Sequence, residues 1–307
     1  MYNCILIFGP TASGKSDIAI ALAQRYGGEI INCDSQQIYK DLNIGTAKPT
    51  LDDFKKVKHH LFDYVSITED YSVSRYNNDA TMVFDNLQSK NVLPVFVGGT
   101  GLYIDSLLYK HDYGFTQKNN EIRQKYEEMA LQHGNQYVYD ILEKIDPVSA
   151  KNLHPNDLKR VVRALEIAST GKKKSEQILI ANEVFVPFII YTNIDRDVLY
   201  DRINKRVDIM VKNGLFEEVS NLHKHNLLRS DLKLPIGYSE WIKYYANELD
   251  FDQTIALIKQ HSRNYAKRQI TWFKRRNFAV EYNPMHSTIQ DLFSQTDKYF
   301  LKSKKDN

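Results

Sequence analysis

Cys4-Ile5-Leu6-Ile7-Phe8-Gly9-Pro10-Thr11-Ala12-Ser13-Gly14-Lys15-Ser16 is the stretch from which the rest of the chain can be read. Residues 4–8 are apolar without alternation, the pattern of a short strand covered on both faces. Residues 9–16 fit G-x-x-x-x-G-K-[ST], a loop whose backbone N–H groups converge on a phosphate. The sequence from Asp17 to Arg25 has helical composition and stops at Gly27-Gly28, and Ile30-Ile31-Asn32-Cys33 reads as a second strand ending at Asp34. Strand, helix and strand within some thirty residues make a βαβ unit, which demands a parallel sheet with right-handed crossovers. The loop stands between strand and helix as its mechanism requires. The helix N-terminus adds its positive dipole end, Lys15 can neutralise outer phosphate oxygens, and the Ser16 hydroxyl is placed to ligate Mg²⁺. The fold class expected is α/β, a P-loop NTPase-like parallel sheet core flanked by helices.

Working outward, Thr50 with Asp53 forms a candidate capping box. Residues 73–90 carry Val73, Tyr76, Ala80, Val83, Phe84 and Leu87 at helical spacing. Val92 to Val97 reads as another buried strand, closed by Gly98-Gly99-Thr100-Gly101 and followed by a helix from Leu102. Composition changes near Asp112. From there the pattern is helix after helix, 121–133, 136–144 and 156–170, until Phe185 to Tyr191 resumes the core as a strand, with Pro187 favouring an edge or strand-start position. The expected organisation is a discontinuous catalytic core, residues 1–112 and 186–307, interrupted by an all-helical insertion at 113–185. A last strand is expected at Ala279 to Tyr282, and a frayed polar tail beyond Asp297.

Composition excludes some classes. The 307 residues are 42% hydrophobic and 26% charged, ordinary globular values. Two cysteines cannot build a disulfide framework or a four-thiolate zinc site; Cys4 and Cys33 read as small apolar fillers in buried strands. His59 and His60 read as core histidines rather than metal ligands. The longest apolar runs fall well short of the roughly 18–20 residues that span a bilayer, and no basic region precedes the first of them, so neither membrane nor signal peptide is expected. A cytoplasmic protein, working as a monomer, is anticipated. Forty-one Lys and Arg against 38 Asp and Glu leave only +3. Yet from Gln253 to Val280 there is no acid, while Lys259, Arg263, Lys267, Arg268, Lys274, Arg275 and Arg276 interleave with Trp272 and Phe273. Such a segment can supply phosphate affinity and stacking faces for a nucleic acid, or be a solvated helix face.

The phosphate loop specifies a polyphosphate, not its carrier. Asp34, at the carboxyl end of the second strand, admits three functional readings beside a plain capping carboxylate: a Mg²⁺ partner, a hydroxyl-binding acid, or a general base toward a nucleophile. Thr100 would point a hydroxyl into the same crevice. The strand at 92–97 ends in glycine instead of the acid a hydrolytic ATPase requires, which weighs against that activity.

Taken in order, Gly9 to Ser16, Asp34-Ser35-Gln36-Gln37-Ile38-Tyr39, Gly45-Thr46-Ala47-Lys48-Pro49, Val97 to Tyr103, Ile236-Gly237-Tyr238 and Ala266 to Trp272 closely resemble the tRNA dimethylallyltransferases, also called tRNA isopentenyltransferases, of the bacterial type. Blocks at His59 to Asp63, Asp146-Pro147, His154 to Asp157 and Arg202 to Met210 share the resemblance, which runs from about residue 5 to 275; Gln36 departs from the methionine common there. The resemblance implies transfer of a dimethylallyl group from dimethylallyl diphosphate to N6 of the adenosine 3′ of the anticodon, with Mg²⁺ as cofactor and a tRNA anticodon stem-loop as partner. It implies that Asp34 is the general base, that Thr100 bonds the oxygen bridging isoprenoid and phosphorus, and that Lys15 acts beside them. It places Gly9 to Ser16, Arg123 and one or both of Arg202 and Arg206 around the diphosphate. Asp34, Ser35, Gln36 and Gln37 would read the flipped adenine. Thr100, Arg123, the 159–163 run (Lys159, Arg160, Val161, Val162, Arg163) and the 267–274 run (Lys267, Arg268, Gln269, Ile270, Thr271, Trp272, Phe273, Lys274) would contact the RNA. Prenylation of free adenine nucleotides, a P-loop small-molecule kinase, and a module that only docks tRNA stand as alternatives.

Overall fold

The computed structural model describes residues 2–111, 119–276, 278 and 280–305. In chain order its elements are β1 (Cys4–Phe8), α1 (Lys15–Tyr26), β2 (Gly28–Asn32), α2 (Leu51–Lys56), β3 (His59–His60), α3 (Val73–Ser89), β4 (Leu93–Gly98), α4 (Gly101–Leu108), β5 (Tyr109–His111), α5 (Asn120–His133), α6 (Asn135–Ile145), α7 (Pro147–Lys151), α8 (Leu158–Ala168), β6 (Leu179–Ala181), β7 (Pro187–Thr192), α9 (Arg196–Lys212), α10 (Leu215–Lys224), α11 (Trp241–Tyr245), α12 (Phe251–Phe273), β8 (Val280–Tyr282) and α13 (Ile289–Lys305). They divide into two compact units, Met1–Leu108 with Glu183–Asn307, and Tyr109–Asn182.

The first unit is built on a six-stranded sheet in the order β3-β2-β4-β1-β7-β8, every pairing parallel. β1 is buried throughout because it pairs on both sides, Ile5 facing Val95 of β4 and Phe188 of β7. Its side chains alternate between two apolar layers: Cys4, Leu6 and Phe8 join one, Ile5 and Ile7 the other. α1 covers the Ile5 layer with Ile18, Ala19 and Leu22. Both faces being filled explains why this strand reads as an unbroken apolar run. Pro187 opens β7, where a missing N–H does least harm. The Thr50–Asp53 capping box is formed, and each N-terminal turn of α3 and α12 is capped by the side chain before it, Ser72 and Asp250.

Several expectations are corrected. His59 and His60 form the two-residue edge strand β3 and are half-buried; His60 Nε2 lies 2.5 Å from Glu29 Oε2. Cys33 is more than filler, because its thiol lies 2.9 Å from the Tyr76 hydroxyl. The tail does not fray at Asp297. α13 continues to Lys305, Tyr299 packs against Phe188 at 4.8 Å between ring centroids, and Asp297 accepts from Arg25 and Tyr26, both at 2.6 Å. Ala279, expected in the last strand, lies outside the described residues.

The second unit is helical around Val138, Leu142, Ala150, Val161, Val162 and Leu165. It also carries an antiparallel ribbon, β5 with β6, so its limits fall a few residues before the 113–185 expected. The three β6 residues Leu179, Ile180 and Ala181 are exposed, which leaves no burial pattern for a reader of the sequence to find. α7, also unforeseen, starts at Pro147 beneath an Asp146 cap. Val161 and Val162 are buried in this core and cannot face RNA, contrary to expectation; their spacing with Leu165 is the apolar stripe of α8. Glu166, also buried, accepts a forked pair from Arg123 at 3.0 and 2.9 Å and a third bond from Arg163 at 2.6 Å. Two of the expected contact cations therefore neutralise an internal carboxylate. Lys159 and Arg160 remain exposed on the same helix.

Candidate active site

The carboxyl ends of β1, β2 and β4 lie side by side, and the segments leaving them meet at one cleft. From β1 comes the phosphate loop. Gly9 is required because β7 passes so close that a Cβ there would stand 2.0 Å from Thr192 Oγ1. Ser13 is buried and its hydroxyl meets that of Thr192 at 2.6 Å, so only its backbone is available to a ligand. Pro10 has no N–H to offer; its carbonyl accepts from Lys15 Nζ at 2.5 Å. Ser16 is exposed at the first turn of α1, whose leading N–H groups the helix leaves unpaired.

From β2 comes Asp34. Asn32 clasps its backbone from both sides, accepting from Asp34 N at 2.7 Å and donating to Asp34 O at 3.0 Å. One carboxylate oxygen accepts from Gln36 N at 2.9 Å. From β4 comes Thr100, whose Oγ1 accepts from Ser35 N at 2.9 Å and donates to Ser35 Oγ at 3.1 Å. Asp34 and Thr100 are thus tied through one residue. Lys15, Asp34 and Arg206 of α9 line the cleft together. Burial pushes the Asp34 carboxyl up from its ordinary range, against the pull of Gln36 N, Lys15 and Arg206. Burial also lowers Lys15 to about 7, with Asp34 opposing and Arg206 assisting. The Arg206 guanidinium, 3.4 Å from Thr11 Oγ1, is likewise held down by burial. One acid and two bases leave an excess of positive charge suited to a polyanion.

The remaining walls are apolar and loop-built: Val97, Ile203, Val207, Met210, Ile236 and Ile258, with Gly45, Thr46 and Ala47. The 43–47 loop is clamped. Glu218 accepts from Asn43 N and Ile44 N, both at 3.0 Å, and also from the Tyr238 hydroxyl, which in turn accepts from Gly45 N at 3.0 Å. Gln37 Nε2 donates to the carbonyls of Thr46 and Ala47 at 3.0 and 2.9 Å. Its amide nitrogen therefore holds the wall, while both Gln36 and Gln37 line the cleft.

Of the paired arginines, Arg206 lines this cleft and an adjoining one, and Arg202 lines only the adjoining one, with Ala12, Ser13 and Gly14. Arg123 belongs to the other unit. The 267–274 run splits: Lys267, Arg268, Thr271 and Lys274 are exposed, but Gln269 and Phe273 are buried, Phe273 stacking on Phe8 at 4.7 Å. Ile270 packs with Ile194, Leu199 and Ile203, and Trp272 is half-buried. Gln269 and Phe273 are core, correcting their expected RNA contact, while Ile270 and Trp272 keep part of their surface exposed. Tyr265 was not foreseen. It lines the cleft with Asp34, and burial raises its pKa. The signal lay in the i, i+4, i+7 spacing of Tyr265, Gln269 and Trp272, obscured by the cations between them.

Mg²⁺ keeps waters and binds through one or two protein oxygens plus substrate phosphates. The donor set fits that habit: the Ser16 hydroxyl lines both clefts next to the loop amides and Lys15. Among the described residues no helix is long and apolar enough to cross a membrane.

Residues 37–276 match the family model described as IPP transferase. A tRNA dimethylallyltransferase of a Thermoanaerobacter species is 42% identical over 89% of each chain. Among solved structures, a tRNA delta(2)-isopentenylpyrophosphate transferase from Staphylococcus epidermidis superposes with a TM-score of 0.72 at 34% identity, covering 99% of this chain and 100% of its own. A eukaryotic dimethylallyltransferase acting on tRNA gives 0.82 at 27% identity, covering 98% and 80%.

Proposed function

The chain belongs to the IPP transferase family, and on that footing we propose that it transfers a dimethylallyl group from dimethylallyl diphosphate to N6 of the adenosine immediately 3′ of a tRNA anticodon, releasing pyrophosphate. The observation that carries the reading is the single cleft in which a phosphate loop, a buried acid and an apolar wall meet. The loop amides, Lys15 and Arg206 suit the diphosphate; Val97, Ile203, Val207 and Met210 suit a five-carbon hydrocarbon; Asp34 suits an amine that must lose a proton.

In the proposed reaction N6 forms a bond to C1 of the dimethylallyl group as the C1–O bond breaks, and the bonding pair leaves with pyrophosphate. The nitrogen becomes positive and passes its proton to Asp34. Thr100, aligned by Ser35, stands at the junction of acid and leaving group. Growing charge on pyrophosphate meets donors already in place, which is the most effective form of electrostatic stabilisation. Ser16 would hold Mg²⁺, which when bound supplies further positive charge at the diphosphate. The exposed Lys267, Arg268 and Lys274, with Lys159 and Arg160 on the helical unit, would contact RNA phosphates. Arg123 and Arg202 remain candidate contacts for pyrophosphate, the former by sharing its guanidinium with Glu166.

The test is incubation with labelled dimethylallyl diphosphate, Mg²⁺ and an unmodified tRNA bearing adenosine 3′ of the anticodon. Label in the tRNA is expected; label in free AMP but not in tRNA, or none in either, refutes the proposal.

A further inference from the structure

α12 lies against the segment leaving β4 with one stripe of its surface. Gln269 meets Gly99, Trp272 covers Gly101, and just beyond the helix Arg276 forks onto Asp105 of α4 at 3.1 and 2.7 Å. Gln269 differs from the others because it also reaches β1's loop. Buried at 5% exposure, it accepts from Thr11 N at 2.8 Å through Oε1 and donates to Gly99 O at 2.9 Å through Nε2. One group is a donor and the other an acceptor, so a primary amide satisfies both where a carboxylate or an amine cannot. The fit is close on both sides: a Cβ on Gly99 would stand 2.2 Å from Gln269 Nε2, and one on Gly101 2.5 Å from the Trp272 ring. Two glycines of the Gly98–Gly101 run are therefore explained by α12 and not by a ligand. The Thr11 N–H, engaged inside the protein, is also withdrawn from phosphate binding, leaving that task to the later amides of the loop and those at the start of α1.

We propose that Gln269 is a positioning residue that locks the phosphate loop to the Gly99–Thr100 segment, holding leaving group and general base in register, and that it takes no part in reading RNA. The proposal rests on the prenyl-transfer reading above. Thr11 and Gly99 follow neighbouring strands, and Thr100 carries the constraint onward to Ser35 and Asp34. Displacing one loop by an ångström would spoil the alignment of N6, C1 and the departing oxygen while leaving both substrates bound.

Gln269→Leu and Gln269→Glu should be compared with the wild type at saturating tRNA and dimethylallyl diphosphate. Gln269→Leu, with both bonds gone, is expected to lower kcat about 10²-fold and to keep KM for tRNA within about twofold. Gln269→Glu is isosteric. Its carboxylic acid can donate to Gly99 and accept from Thr11 as the amide does, but its carboxylate cannot donate and faces a carbonyl. The ratio of its kcat to that of the wild type should therefore rise about tenfold from pH 8 to pH 6, Asp34's own titration cancelling in the ratio. A ratio that stays flat, or an unchanged kcat with raised KM for tRNA, overturns the proposal. If the wild type itself transfers no label, the function fails separately. Hydrogen-exchange protection of the Thr11 amide in Gln269→Glu relative to wild type then reads the lock alone: lower at pH 8 than at pH 6 supports it, and no difference refutes it.

Discussion

Lys15 is held at about 7 by burial in the absence of ligand, so near neutrality it is charged in only part of the molecules. A polyanion favours the charged form, and binding must draw a proton onto Lys15 whenever the solution lies above that value. Affinity for the diphosphate should therefore fall as pH rises above about 7, by up to tenfold per unit. Lys15→Arg, which does not deprotonate, should bind with a flatter profile, and pyrophosphate titrations of both proteins between pH 6.5 and 8.5 measure the difference while the ligand's own ionisation cancels. Asp34 is displaced in the opposite sense: burial raises it, so the acid limb of kcat/KM should lie above the ordinary carboxylate value. Asp34→Asn should lose about 10²–10⁴ in kcat with tRNA affinity changed far less. Equal losses in both would contradict a base. Asp34 and Lys15 were legible because their positions follow from the βαβ unit alone. The hold of Gln37 on the cleft wall was not legible because its partners, the carbonyls of Thr46 and Ala47, belong to a loop whose path no local pattern announces.

At the scale of elements, what the sequence showed was what periodicity can show. β1, β4 and α3 are filled on their inner faces by neighbours in the same unit, and their spacing says so. β3 and the β5–β6 ribbon are two or three residues long and carry no period to detect. α12 is the instructive failure. Its inner stripe packs on β4's loop and its outer side carries the cations, and composition reports only the sum. The clamp on the 43–47 loop was equally hidden, since Glu218 and Tyr238 lie some 170 to 190 residues away from it. Tyr238→Phe keeps the ring against Gly45 but leaves Gly45 N and Glu218 without their shared hydroxyl. Losing a buried partner of this kind costs about 1–3 kcal/mol. In a chain of this length that should lower the melting temperature by roughly 2–4 °C for each kcal/mol, and the freed wall should raise KM for dimethylallyl diphosphate more than KM for tRNA. Unchanged melting and kinetics would show the clamp to be idle.

For the whole molecule, a formal charge of +3 conceals segments of opposite character. Lys267, Arg268, Lys274 and Arg275 are exposed on or beside α12 with no acid nearby in sequence. Binding to tRNA should weaken with salt at a logarithmic slope on the order of −0.7 to −0.9 per phosphate contacted. Replacing Lys267, Arg268 and Lys274 with glutamine should reduce that slope by up to about one per residue, and an unaltered slope would remove this face from the interface.

The Thr11–Gln269 bond joins residues 258 apart in the chain. During translation the motif emerges long before β7, the partner on one side of β1, which starts at Pro187, and the amide that fixes the loop arrives later still. The ribosome therefore releases a phosphate-binding sequence long before it releases a phosphate-binding site. A nascent or prematurely terminated chain ending before α12 carries the whole motif without its brace.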